Sequence, residues 1–145
     1  MNRDEHGQSL IELALVLPIL VIVLAGMFDA VRAVQISSSL NAAVREGTRF
    51  AVVRGQFSAT PVGPGTGTYT APDRDSAVEA SVLERTAGIP RAVTVRATWP
   101  DGNNAKGSRV VVTATTDYVP VLSAVFIGDR LRLPLSASSS LTISN

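Results

Sequence analysis

The stretch GQSLIELALVLPILVIVLAGMFDA, Gly7–Ala30, decides how this chain is read. Its apolar run, Leu10 to Phe28, carries one charge, Glu12, near its start. Nineteen helical residues rising about 1.5 Å each span about 28 Å, close to the roughly 30 Å of a bilayer core. The stretch can therefore cross a membrane as a helix. Glu12 is a carboxylate one turn inside the apolar boundary, a costly placement that usually signals function. The bland alternative is a side chain reaching back to the interface. Pro18 removes one helical hydrogen bond and favours a kink, which membrane helices tolerate when neighbours satisfy the freed groups. Gly26 offers a small face for another helix. Both also occur in ordinary membrane helices.

Working outward, Met1–Gly7 (MNRDEHG) is short and polar, with Arg3 set against Asp4 and Glu5. A secretory signal would start with a basic segment and end its apolar part at a small-residue cleavage site. The basic segment is weak here, and the helical pattern runs on past Ala25-Gly26-Met27. Downstream, Ala33, Ile36, Leu40, Ala43, Val44, Gly47, Phe50 and Ala51 recur at steps of three and four. Arg32, Gln35, Asn41, Arg45, Glu46 and Arg49 take the other face. This predicts one helix from about Gln8 to Val53, roughly 70 Å long, apolar all round at first and amphipathic later.

The remainder divides by its own punctuation. Arg54–Pro72 is rich in Gly, Pro, Ser and Thr and reads as a surface loop. Asp73–Gly88 has helical spacing, with Asp73 or Asp75 as cap and Gly88 and Pro90 as stop. Arg91–Trp99, Arg109–Tyr118 and Leu131–Ile143 alternate apolar and polar residues, as half-buried strands do. Pro100–Asn104 is turn chemistry joining the first two as an antiparallel hairpin. Pro134 places the third strand's start at an edge or bulge. The apolar connection Tyr118–Asp129 is expected to pack across one end of the sheet. Burying the strand faces under the helix stripe, with Asp73–Gly88 as a second cover, satisfies every face. The expected fold is α+β: a long N-terminal helix packed on about three antiparallel strands, plus one further helix.

The composition narrows the chemistry. A net charge of +1 over 145 residues gives no bulk electrostatic reason to bind nucleic acid. There is no cysteine, and the single histidine is His6. Zinc, thiol and histidine chemistry are thus nearly excluded from the main body, and no cofactor is implied. Ser136–Ser140 lacks a nucleophile elbow. Asp73, Asp75, Glu79 and Glu84 read as a solvated helix face. Arg45, Glu46 and Arg49 read as another, with contact to neighbouring subunits as the functional alternative. Trp99 and Tyr118 read as core or sheet-edge aromatics. An enzyme is not expected.

Gly7-Gln8-Ser9-Leu10-Ile11-Glu12 followed by an apolar helix resembles the class III signal of type IV pilins and pseudopilins. The longer stretch, with its in-helix proline and Ala43-Val44-Arg45-Glu46-Gly47-Thr48-Arg49, looks like the TadE-like branch. The resemblance covers roughly the first 54 residues; the rest matches in layout alone, with a pilin-like loop, helix and strands and a Tyr118-Val119-Pro120 segment. It implies a leader of residues 1–7, cut by prepilin peptidase between Gly7 and Gln8, and a long helix 8–53 that spans the membrane at about 10–28. A loop 54–72 and an extracytoplasmic domain 73–145 would follow. It implies a minor pilin or pseudopilin of the tight-adherence (Flp) pilus, anchored in the cytoplasmic membrane and serving adhesion or biofilm formation. Its partners would be other pilin subunits, the peptidase, the assembly platform with its secretion ATPase, and membrane lipid. Glu12 would become mature residue five and pair with the new Gln8 amine of a neighbour. The competing reading is an uncleaved single-pass anchor carrying an extracytoplasmic ligand-binding domain.

Overall fold

The computed structural model describes residues 3–64 and 77–144. Its elements are helix α1 (Arg3–Val53), helix α2 (Ala77–Arg85), strand β1 (Val93–Thr98), strand β2 (Arg109–Tyr118), helix α3 (Val121–Ile127), a 3-10 turn (Gly128–Arg130) and strand β3 (Leu133–Thr142). The fold is α+β as expected. α1 is continuous through Pro18 and begins inside the expected leader. The chain forms two compact units, Met1–Ala33 with Val119–Arg132, and Val34–Tyr118 with Leu133–Asn145. This division cuts across the segments read from the sequence, because 119–132 groups with the apolar half of α1.

In the larger unit the three strands form one antiparallel sheet, ordered β1-β2-β3. Val95 pairs with Ala114 and Ala97 with Val112; on the other side Val110 pairs with Leu141 and Ala114 with Ala137. Period-two alternation turns Val95, Ala97, Val110, Val112, Ala114, Tyr118, Ala137 and Ile143 to one buried face. The stripe of α1 lies on that face. Leu40 and Val44 are fully buried, with Ile36, Ala43 and Ala51 beside them. Full burial of a leucine or valine contributes about 1.5–3 kcal/mol. Gly47 lies where α1 meets α2 and β2: a Cβ there would overlap Val82 and meet Val112 Cγ1 at 3.5 Å. Thr48 is also buried, its hydroxyl donating to Val44 O at 2.6 Å and towards Ser139 O at 3.4 Å.

Two details differ from the sequence reading. Glu79 is not on a solvated face: it is fully buried on α2 with Val78 and Val82, while Glu84 is exposed. Helical geometry explains this, since Glu79 shares a face with Val82 and with the buried Thr86, three and seven residues on. Asp73 and Asp75 lie outside the described residues. The apolar face of β3 is covered only in part, because Leu133 (41%) and Leu141 (46%) stay exposed. Pro134 sits on an edge strand, opposite Asp117.

The described part of the loop, 54–64, is tied to the β1–β2 turn. Gln56 N donates to Asn104 O at 3.0 Å, and Asn104 Nδ2 donates to Gly63 O at 2.6 Å. Gly63 lies so close to the Trp99 ring that a Cβ would overlap it. The turn is closed by Gly102 N donating to Trp99 O at 3.0 Å, with Gly102 at φ 71°, a conformation that favours glycine. Asp101 accepts from Arg109 N at 2.8 Å and from Arg109 Nη2 at 3.1 Å.

In the smaller unit α3 docks on α1. Asp29 is 8% exposed, and its carboxylate accepts from Val121 N at 2.8 Å and Leu122 N at 3.1 Å. The apolar connection 118–129, expected across a sheet end, is thus anchored on the first helix.

Candidate functional site

Gly7, Gln8 and Glu12 lie on one continuous stretch of α1 and are all exposed. A Cβ built on Gly7 meets nothing within 4 Å. Gln8 and Glu12 stand four residues apart, which puts them on one helix face with about 6 Å of rise between them. The side chains of residues 1–6 lie outside the described set. The site therefore consists of a small residue in open space, a following residue, and a carboxylate one turn further on.

Below this site the helix is uncovered. Leu10 is 65% exposed, Leu17 52% and Val23 62%. The most apolar 18-residue window has a mean hydropathy of 2.7 and is 0% buried by the rest of the chain. An apolar surface of this extent on a lone chain marks an interaction with membrane or protein. The helix is long and apolar enough to cross a membrane.

A second constellation, not foreseen from the sequence, closes the apolar run. Asp29 caps α3, and Gly26 faces Leu122, whose Cδ1 lies 3.6 Å from where a glycine Cβ would stand. The signal available in the sequence was a lone acid at the end of an apolar span. Its partners lie some ninety residues away, at a distance no local pattern reaches.

The charge cluster on the second half of α1 is spread out. Arg45 and Arg49 are exposed, and Glu46 meets Arg85 of α2 at 3.6 Å. Both partners are largely solvated, so this pair is worth little. Arg54 lies 3.6 Å over the Phe50 ring centre. Ser136–Ser140 lies along β3, paired with β2. Among the described residues no group of three or more His, Cys, Asp or Glu side chains is placed to hold a metal ion.

Comparison with known families bears on the first constellation. The family model described as TadE-like protein matches residues 7–49. Over these residues the chain is similar to the TadE-like family. The matched TadE-like segment begins at Gly7, includes Glu12 and the Ala43–Arg49 segment, and lies wholly within α1. No curated protein and no solved structure matches the chain.

Proposed function

We propose that the chain is a minor pilin or pseudopilin of a Tad (Flp) type IV pilus, cut by prepilin peptidase between Gly7 and Gln8. The observation that carries this reading is the coincidence of the TadE-like match with an uncovered apolar helix bearing Gly7, Gln8 and Glu12 at its start. In this reading the protein is a substrate and a structural part, not an enzyme. Its partners are other pilin subunits, the peptidase, the assembly platform with its secretion ATPase, and lipid. The leader lies on the cytoplasmic side and the domain outside, in service of adhesion or biofilm formation.

Glu12 acquires its role on cleavage. Cutting creates a positive amine at Gln8, which can neutralise a neighbour's Glu12 in an apolar filament core and so fix axial register. A buried pair offers specificity more readily than stability. Glu12→Ala should therefore leave cleavage intact and lower recovery in pili; normal recovery would show that the pairing is irrelevant. Gly7→Val should abolish processing. Because nothing crowds Gly7, a loss of cleavage would report the peptidase's need for a small residue, not a damaged fold. Undiminished cleavage of Gly7→Val would count against the proposal.

A further inference from the structure

We propose that α3 is a second membrane-contacting element: an interfacial segment lying at the headgroup–acyl boundary, beside the point where α1 leaves the bilayer. This rests on reading α1 as a membrane span.

The first observation is exposure. α3 turns Val125 (73%) and Phe126 (68%) outward, and Val121 is 51% exposed. A seven-residue helix with this much uncovered apolar surface is poorly suited to water. The second is continuity. Leu122 rests against Gly26, and the neighbouring α1 residues Met27 (67%) and Phe28 (74%) are themselves uncovered. The outward residues of α3 thus extend the apolar surface of the span at its end. Any segment held there in a bilayer meets the interface, so lipid is the occupant the geometry favours over a protein partner.

The third observation concerns the backbone. A segment entering the poorly hydrated boundary is favoured when its amides are satisfied from within the protein. Asp29 accepts the first two amides of α3, at 2.8 and 3.1 Å, and Ala124 N donates to Pro120 O at 3.0 Å. The fourth is the flanking charge. Arg130 and Arg132 follow α3 in the sequence, just after Asp129, and Arg32 follows the span on α1. Cations at this level suit lipid phosphates. Asp29 then has a defined task, holding a short apolar helix at a fixed depth against the exit of α1.

The chain has no cysteine, so single cysteines give unique labels. The full-length protein, reconstituted in phosphatidylcholine–phosphatidylglycerol vesicles, would carry an environment-sensitive fluorophore at Val125→Cys or Phe126→Cys. Leu17→Cys serves as the span reference and Lys106→Cys as the water reference. All four positions are exposed. Quenching by spin-labelled lipids is compared with quenching by iodide. The proposal expects labels at 125 and 126 to be quenched several-fold more by lipid than the label at 106. Their depth should be about 5–10 Å into the boundary, shallower than the label at 17. Labels at 125 and 126 that behave like the one at 106 would place α3 in water and overturn the proposal. Labels shielded from both quenchers would mean a protein covers α3, and would overturn it equally. A label at 17 that lipid does not quench would sink the span reading and the proposal with it.

Discussion

Compare residues 10–28 of α1 with residues 34–53. Both are uninterrupted helix, but 16 of the 19 residues in the first are apolar against 10 of the 20 in the second. In the first, apolar residues point in every direction and none of the most apolar window is buried. In the second they form a stripe, and Leu40, Ala43, Val44 and Ala51 are almost wholly covered by the protein. The number of apolar residues and their distribution around the helix together decide the solvent. An all-round pattern asks for lipid or other helices, while a stripe asks for a partner within the chain. The proposed pilin role needs both, since one helix must be a membrane anchor before assembly and a domain's support throughout.

The sharpest way to break this contrast is truncation of one leucine in each half. Leu40→Ala should cost about 2–5 kcal/mol, as deletions in packed cores do, read by denaturant unfolding of the full chain in micelles. Leu17→Ala should leave that midpoint unchanged. A comparable loss at both positions would contradict the division. The two glycines give the next largest contrast. Gly47→Ala forces a Cβ into Val82 and should destabilise by about 1–3 kcal/mol. Gly26→Ala meets only an ordinary contact with Leu122, so melting should be unchanged or slightly raised.

Asp29→Ala should have a smaller, local effect. Losing a cap costs about 0.5–2 kcal/mol, and the loss should appear as faster hydrogen exchange at the Val121 and Leu122 amides. Protection in β1 and β2 should stay as it was; a global loss of protection would mean the two units are not separately held. The smallest effect concerns acid. Hydrogen bonds from the Arg109 side chain, then its backbone amide, hold the Asp101 carboxyl below the ordinary 3.8. A group lowered in this way stabilises the fold above its unfolded value and loses that contribution as pH falls through the folded one. As pH falls through that lowered value the Asp101–Arg109 clasp should open, moving the Arg109 amide resonance, and Asp101→Asn should abolish that pH response. Because the clasp lies at the surface, global stability should barely follow it.

Much of this was legible in the sequence. The long helix, the three strands and the hairpin turn follow from sustained periodicity and from Asp101-Gly102-Asn103. The candidate site was legible because Gly7, Gln8 and Glu12 are neighbours along the chain and need no tertiary contact to be seen. What escaped depends on contacts between distant segments. The run VLSAVFI is short and apolar, so its period says little about helix or strand, and its anchor is Asp29. Glu79 shares a face with Val82, a spacing outweighed by its charge. Alternation assigned Leu133 and Leu141 to a face but could not say that the cover stops short of them.

The central claim is that the all-round apolar half of α1 becomes a mature N-terminus by cleavage after Gly7. The measurement that tests it most directly is N-terminal sequencing, with intact mass, of the protein purified from membranes of cells that hold a prepilin peptidase. The account predicts a chain beginning at Gln8. A chain beginning at Met1 would contradict it and favour an uncleaved anchor for an extracytoplasmic binding domain.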